Sequence, residues 1–399
     1  MKTILFVDDE PKVLQGLQRQ LRPMRQEWDM HFVEGGQRAL DFMAARPVDI
    51  VVSDMMMPGM DGSQLLGEVL KRHPQTVRII LSGHAGPEAI LRLVGPAHQY
   101  LSKPCDPDEL RKAITQSLAS RDLLDNEQLK QLATRIKNLP TLPAMQSQIT
   151  EELLKESPSV ERVGEIISRD IGMTAKILQL VNSAFFGLAQ PVNNPTEAAV
   201  YLGLNTIRSL ALTAGIFSQY DQKFCRSFSL EALAQHSLLT GGIARRVAQS
   251  ERQDLKILEQ CFLAGLLHDV GQLILASNLP EEYAEVTAKA DRQNLPLWQA
   301  EMDFFGATHA DVGAYLLSLW GLPNPIIEAV ALHHQPGRCA VLEFSPAVAV
   351  HVGDVFAHEF SATRTELPVP QLDTAGLLGL GLAGRIEAWR DSCLETIEA

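Results

Sequence analysis

The sequence has few cysteines and no long apolar run. Its five cysteines are scattered over 399 residues without a CxxC pair, which favours reduced thiols over disulfides or a zinc ribbon. The longest apolar stretches are short and are interrupted by Arg, Asp or His, so we expect no transmembrane helix. A strand followed by acidic residues, rather than a signal peptide, opens the chain. These absences predict a cytoplasmic protein.

The sequence also lacks an excess of basic residues, and its formal net charge is −13. Residues 1–122 carry 15 basic and 16 acidic side chains, which leaves 20 basic and 32 acidic side chains in the remainder. Because contacts to phosphates need Lys and Arg, the acidic carboxyl-terminal part argues against DNA binding.

Five strand–helix units are predicted in residues 1–122. Each strand is a short apolar run that is followed by turn residues and then by apolar side chains at helical spacing. The strands are expected at Thr3–Val7, His31–Val33, Ile50–Val52, Val77–Ser82 and Gln99–Pro104. Strands that alternate with helices form a parallel sheet with right-handed crossovers. We therefore expect an α/β doubly wound, flavodoxin-like domain with five parallel strands.

Polar side chains stand at the ends of four of these strands. Asp8 and Asp9 follow the first strand and Asp54 the third, while Ser82 ends the fourth. Lys103 lies at the end of the fifth. Clustered carboxylates repel one another without a cation, and Mg²⁺ prefers oxygen ligands. With a lysine and a hydroxyl available for phosphate oxygens, the set predicts phosphoryl transfer to Asp54.

Four motifs in this region resemble the receiver domain of two-component response regulators. They are Val7-Asp-Asp-Glu10, Asp54-Met-Met-Met-Pro-Gly59, Leu81-Ser-Gly-His84 and Lys103-Pro104. The resemblance covers about the first 120 residues. It implies a sensor histidine kinase as partner and Asp54 as the phosphoacceptor.

The same resemblance implies a magnesium site. Asp9, Asp54 and the backbone carbonyl of Met56 would bind the ion, with Asp8 assisting through a water molecule. A separate implication is a switch pair, Ser82 and Tyr100, that responds to phosphorylation.

The resemblance also implies a cis peptide bond between Lys103 and Pro104. That bond would place the Lys103 ammonium at the phosphorylation site.

Residues 108–139 contain neither Gly nor Pro. Leu110, Ile114 and Leu118 form one apolar row at helical spacing, and further leucines continue it less regularly. We expect a long helix here, with residues 123–137 as the connector between two domains. A homodimer through this helix is one interpretation, and two separate helices packed on their own domains are the alternative.

Residues 138–399 show helical spacing in one segment after another, including a single predicted helix over Leu255–Leu275. The gaps between segments are short and carry Gly, Pro or Asn, so we expect an all-α bundle. Histidine and aspartate side chains are distributed over several of its helices. Such donors can build di-iron, di-manganese or zinc sites in helical bundles. The candidate ligands are His236, His268, Asp269, His309, His333, His334 and Asp354.

This second region resembles the HDOD (HD-related output) domain, an HD-like helical fold. The resemblance rests on Leu139-Pro-Thr-Leu-Pro143, Ile171–Asn182, Leu202–Arg208 and the His268-Asp269 block. The wider HD superfamily contains metal-dependent phosphohydrolases. The candidate ligands above match metal-ligand positions of that enzyme class, which implies Fe, Mn or Zn.

Three departures from the enzymes of that superfamily favour a non-catalytic signalling module. Gln272 stands where the cyclic di-GMP phosphodiesterases have Lys, no Gly-Tyr-Pro segment follows His333-His334, and Ala232 replaces an acid. We therefore expect a response regulator whose output binds a protein partner or a nucleotide messenger. The alternative is a receiver-gated, metal-dependent phosphodiesterase.

Overall fold

The computed structural model describes most of the chain. The described residues are 1–82, 97–103, 105–120, 126–136, 139–155, 157–182, 191–207, 218–219, 228–339, 343–360 and 370–397. Pro104 lies outside them, and so does the implied cis bond. Among these residues no helix combines the length and apolarity needed to cross a membrane.

The first domain is a five-stranded parallel sheet, as predicted. Its order is β2-β1-β3-β4-β5. The strands are β1 Lys2–Asp8, β2 Trp28–Glu34, β3 Ile50–Asp54, β4 Val77–Ser82 and β5 Gln99–Ser102, and the flanking helices are α1 Pro11–Gln20, α2 Gly36–Ala45, α3 Gly62–Arg72 and α4 Pro107–Ser120. Local chemistry starts these helices: Pro11 opens α1, and Asp61 and Gln64 form a capping box on α3.

Alternate side chains of the sheet enter two apolar cores. Phe6 and Val52 face one core, whereas Leu5 and Val51 face the other, and all four are buried. The core that contains Phe6 continues into the helical module. The two domains therefore bury apolar surface against each other.

The connector contains a helix break, which contradicts the single helix expected over residues 108–139. A second helix, α5 Glu127–Arg135, begins at Asn126. The Asn126 side chain accepts hydrogen bonds from the backbone N–H groups of Gln128 and Leu129, which makes it an N-cap. Leu129 and Ala133 are buried in the shared core. The chain therefore forms two helices here, and the apolar side of α5 packs in the core that both domains share rather than on one domain alone.

The described residues of the second domain are helical apart from one short parallel strand pair, β6 Pro140–Thr141 and β7 Ser218–Gln219. A break at His268 and Asp269 divides the helix expected over Leu255–Leu275. The helices are α6 Pro143–Leu154, α7 Val160–Ile167, α8 Ile171–Val181, α9 Pro195–Leu202, α10 Leu230–Ser250, α11 Leu255–Leu267, α12 Val270–Asn278, α13 Pro280–Gln293, α14 Leu297–Phe305, α15 His309–Leu319, α16 Asn324–Leu332, α17 Pro346–Phe360, α18 Thr374–Gly379 and α19 Ile386–Ile397.

A buried polar contact joins the sheet to the connector. The Arg78 guanidinium donates to the Thr134 carbonyl at 2.6 Å, near the end of α5, and His98 Nε2 lies 3.1 Å from the same oxygen. Burial lowers the pKa of Arg78 to about 9 and the pKa of His98 well below its usual range. His98 is therefore neutral, with Nδ1 accepting from the Arg78 backbone N–H at 3.1 Å. Two receiver side chains thus hold the end of the connector helix.

Lys176 of α8 is buried at the same junction, with its ammonium 5.6 Å from the centre of the Trp320 ring. Burial lowers the pKa of Lys176 to about 7. The unfolded chain binds the proton up to a pH near 10.5, so stability should rise with pH between about 7 and 10.5. We expect Lys176→Met to remove this rise, which is on the order of 1.4 kcal/mol for each unit of pKa difference.

Chemical denaturation at about pH 7 and about pH 10 checks this expectation. The stability difference between wild type and Lys176→Met should change between the two conditions. Lys155→Met is the control, because the Lys155 side chain is 58% exposed. Parallel pH profiles for wild type and Lys176→Met would contradict the prediction.

Candidate functional site: an acid–lysine cluster and a histidine–aspartate centre

The carboxyl ends of β1, β3 and β5 bring three predicted residues together. The Lys103 ammonium donates to Asp8 Oδ2 at 2.7 Å and to Asp54 Oδ1. Asp54 Oδ2 accepts the backbone N–H of Met56 at 2.8 Å. Asp8 and Asp54 are buried, whereas Asp9 is exposed. The cluster is therefore an acidic pocket with one cation and an accessible acidic rim.

The electrostatics of this pocket depend on Lys103. Burial raises the pKa of Asp54, and the hydrogen bond from Lys103 opposes that change. Burial alone would lower the pKa of Lys103, but its bonds to Asp54 and Asp8 outweigh burial and raise it. The lysine is therefore charged at neutral pH and directed at Asp54.

The two predicted switch residues lie on the neighbouring strands. Ser82 ends β4, one residue beyond Leu81, which pairs with Asp54 across the sheet. Tyr100 of β5 is buried, and its hydroxyl lies 3.4 Å from the Ala97 carbonyl. The Tyr100 ring thus lies inside the domain rather than on its surface.

The helical module brings all seven predicted histidines and aspartates to one place. Breaks and helix ends position most of them: His268 and Asp269 separate α11 from α12, His309 begins α15, and His333 follows α16. Gly271 allows the close approach of these elements, because a Cβ there would stand 1.9 Å from the His309 carbonyl oxygen. His334 follows His333, while His236 projects from α10 and Asp354 from α17.

Asp269 lies at the middle of this histidine–aspartate centre. Its Oδ1 is 3.1 Å from His309 Nε2, and its Oδ2 is 3.3 Å from His268 Nε2. On one side, His309 Nε2 also lies 3.0 Å from His334 Nε2. On the other side, Asp354 Oδ1 lies 3.0 Å from His236 Nε2. Asp269 therefore faces two groups of donors.

Three sets of residues each place one ligand atom per residue close enough together for a single metal ion to contact all three. They are His309 with His333 and His334, His236 with His268 and Asp354, and His268 with Asp269 and His333.

Backbone carbonyls set the tautomers of two of these histidines. His268 Nδ1 is 2.7 Å from the Gly265 carbonyl, and His333 Nδ1 is 2.8 Å from the Val330 carbonyl. Each Nδ1 donates, so the Nε2 of a neutral His333 keeps a lone pair. His268 Nε2 faces Asp269, which raises the pKa of His268 and favours a proton there in the absence of an ion. The His333 Nε2 is buried without a hydrogen-bond partner. A buried imidazole nitrogen with a free lone pair, aimed at other donors, fits a metal ion.

Without a bound ion, neighbouring buried histidines of the centre have pKa values that are shifted in opposite directions. Burial, together with charge on His268 and His309, lowers the pKa of His333 to about 3. Burial alone would lower the pKa of His268 and His309, but Asp269 beside the first and Glu301 beside the second raise both. The centre therefore holds neutral and protonated imidazoles side by side.

Two further residues belong to this centre and were missed from the sequence. Glu301 accepts from His309 Nδ1 at 2.6 Å, and His358 Nε2 lies 3.5 Å from Asp354 Oδ1. His358 follows Asp354 by four residues on the same helix face, a spacing that the sequence contains. Glu301 carries no such signal, because it lies on a different helix from His309.

A cavity of about 380 Å³ adjoins the centre. Trp298 stacks on His334 at its wall, with 5.6 Å between the ring centres. Its described lining includes Gln299, Asp354 and Gln371 but no Lys or Arg.

Comparisons with known proteins match both regions of the chain. The response regulator receiver domain matches residues 4–115, and the HDOD domain matches residues 139–336. The second match ends before α17, which carries Asp354 and His358.

The similar proteins include two curated relatives. An uncharacterized protein of Treponema pallidum is 26% identical over 222 residues, which are 55% of this chain and 42% of that protein. The hydrogenase transcriptional regulatory protein HoxA of Cupriavidus necator is 34% identical over 123 residues, 30% of this chain and 25% of that protein. The chain therefore spans less than half of the length of these relatives.

Among solved structures, the MmoQ response regulator of Methylococcus capsulatus aligns with 26% identity and a TM-score of 0.49. The alignment covers 63% of this chain and 98% of that one.

Proposed function

Because the chain is a response regulator in which a receiver domain precedes an HDOD domain, we propose that Asp54 accepts a phosphoryl group from a sensor histidine kinase. The observation that carries this proposal is the bond from Lys103 to Asp54 and Asp8. A charged lysine at the nucleophile stabilises the negative charge of a transferred phosphoryl group.

A magnesium ion suits the same pocket. Asp9, Asp54 and the Met56 backbone carbonyl would hold it, with Asp8 acting through water, and this all-oxygen donor set is the kind that Mg²⁺ prefers. When bound, the ion supplies positive charge between the carboxylate and the phosphoryl oxygens.

The output of phosphorylation is transmitted through a direct contact as well as through the connector. Gln116 of α4 donates to the Leu322 carbonyl at 3.2 Å and to Asn324 Oδ1 at 3.1 Å, just beyond α15. Gln99, which precedes Tyr100 on β5, lies beside Gly321, since a Cβ added at Gly321 would stand in ordinary contact with the Gln99 side chain, at 3.5 Å. A shift of β5 around Tyr100 would therefore reach α15 without a long connector helix.

The far end of α15 lies in the histidine–aspartate centre, because His309 is its first residue. Asn126, at the start of the connector helix, donates to the Phe305 carbonyl at the end of α14. The receiver thus contacts the chain just beyond one end of α15, and His309 of the centre is the first residue at its other end. Such continuous packing is the physical route that coupling needs.

The histidine–aspartate centre binds two transition-metal ions. His236, His268 and Asp354 would hold one ion, and His309, His333 and His334 the other, with Asp269 between them. Imidazole-rich donor sets suit Fe, Mn or Zn better than Mg or Ca. The buried, partnerless Nε2 atom of His333 supports this assignment most strongly.

The metal centre serves signalling rather than hydrolysis. The described lining of the adjacent cavity lacks a basic side chain for a phosphate group, and Trp298 covers one face of His334. The alternative, a metal-dependent phosphodiesterase, is supported by the ligand set alone.

The protein acts in the cytoplasm, where its buried thiols stay reduced, and its acidic output binds a protein or a nucleotide messenger rather than DNA.

A further inference from the structure

Glu301 is a fully buried carboxylate whose two oxygens accept hydrogen bonds from His309 and Tyr283. Its Oε2 accepts the His309 backbone N–H at 2.8 Å and His309 Nδ1 at 2.6 Å. Its Oε1 accepts the Tyr283 hydroxyl at 3.1 Å. Tyr283 lies on α13 and Glu301 on α14, so two helices fix the carboxylate before it reaches His309.

The partner of His309 differs from the partners of the other oriented histidines. His268 and His333 donate from Nδ1 to backbone carbonyls, which are neutral. His309 donates to a carboxylate, which orients the imidazole and also makes its Nε2 a stronger donor to a metal ion. Among the described residues of the centre, Glu301 thus supplies a negative charge behind one ligand of one ion.

The hydrogen bonds from His309 and Tyr283 offset part of the free-energy cost of burying the Glu301 carboxylate. A carboxylate that is 0% exposed requires compensation by positive charge or by several hydrogen bonds. A cation on Nε2 of His309 provides that compensation across the ring. The other donors to this ion, His333 and His334, are neutral imidazoles, so Asp269 is the single acidic donor in its set.

We propose that Glu301, held by Tyr283, is the positioning residue that fixes His309 as a ligand and sets the affinity of the ion bound by His309, His333 and His334. The inference rests on the metal centre proposed above. We therefore expect a substitution of Glu301 to change the binding affinity of this ion and not of the other, because His236, His268 and Asp354 have no bond to Glu301.

Titration of the full-length, metal-free protein with Co²⁺ tests this inference, since visible spectra report both the number of ions and their ligands. Glu301→Gln keeps the shape of the side chain and removes its charge. We expect this substitution to lower the affinity for one ion about 10–100-fold and to leave the affinity for the other ion unchanged. Tyr283→Phe should lower the affinity for the same ion by a smaller factor. Glu301→Asp, which returns the negative charge, should bind that ion more tightly than Glu301→Gln does.

Glu152→Gln is the matched control, because Glu152 is also buried in this module and bonds Lys155 and the Ser159 backbone away from the centre. Thermal unfolding of the metal-free variants separates positioning from folding. Two ions bound by Glu301→Gln with wild-type affinity, or both weakened equally, would overturn this inference alone. Absence of any ion in the wild-type protein would overturn the metal centre and the inference together.

Discussion

Replacement of Asp54 by Asn abolishes phosphoryl uptake by the full-length protein. An amide is not a nucleophile toward a phosphoryl group, whereas the Asp54 carboxylate is directed at the Lys103 ammonium in a buried pocket. Incubation with acetyl phosphate and Mg²⁺, followed by intact-protein mass spectrometry, should show near-complete phosphorylation of wild type and none of Asp54→Asn.

The fold survives this change. Lys103 keeps its 2.7 Å bond to Asp8, so the Asp54→Asn substitution does not leave the cation without a partner. Asp41→Asn, on the exposed surface of α2 in the same domain, is the control and should be phosphorylated like wild type. Equal labelling of Asp54→Asn and wild type would rule out Asp54 as the phosphoacceptor.

Replacement of Asp269 by Asn empties the histidine–aspartate centre. Asp269 is the acid that faces both His309 and His268, so its loss removes a negative donor from each ion. We expect the metal content to fall from about two ions to near zero, with a loss of affinity of at least about 100-fold, since a first ligand matters more than the outer partners that cost 10–100-fold. Elemental analysis of protein purified without chelator gives the measurement.

Asp170→Asn is the control for this change. Asp170 is equally buried in the same module, but it caps α8 and accepts the backbone N–H groups of Leu142 and Met173. That variant should keep its metal. Metal retained by Asp269→Asn would contradict the assignment of Asp269 as the shared ligand.

A comparison of wild type with Asp269→Asn also decides between signalling and hydrolysis. We expect metal-loaded wild type to leave cyclic dinucleotides and nucleoside phosphates intact, because the described cavity lining offers no basic side chain to them. Turnover by wild type that disappears in Asp269→Asn would establish the phosphodiesterase instead.

The meeting of Asp8, Asp54 and Lys103 could be predicted from the sequence because strand ends in a parallel sheet follow a simple rule. Parallel strands bring their carboxyl ends to one edge, so Asp8, Asp54 and Lys103 had to meet once the strands were recognised. Lys103 is nearly fifty residues from Asp54 along the chain, yet the geometry of the sheet made its position predictable.

The sequence contains a local signal for the helix break in the connector, but the helical spacing of apolar residues continues across it. Asn126 followed by Glu127 is a good N-cap and first turn, but the apolar spacing continues past it. The decisive force is tertiary, because burial of Leu129 and Ala133 in the shared core orients α5. The same reason explains the missed break at His268 and Asp269, where buried helices lie on both sides and apolar spacing continues through the turn.

The convergence of the seven histidines and aspartates followed from the resemblance rather than from spacing. Glu301 shows the limit of that reasoning. Its helix α14 ends at Phe305, and Gly306 follows with φ of +69°. The turn there carries the chain back so that Glu301 meets His309. Such a contact depends on the path of a turn and on the packing of Tyr283, neither of which a pattern of residues displays.

The most direct test of the relay is hydrogen exchange of the full-length protein with Mg²⁺, measured with and without beryllofluoride, in wild type and in Asp54→Asn. Beryllofluoride mimics the phosphoryl group, so in wild type we expect changed protection in β5, in the connector helix α5 and along α15, and no change in Asp54→Asn. Changes confined to the strand ends around Asp54, with α5 and α15 unaltered, would contradict the transmission of the signal from the receiver to the HDOD module.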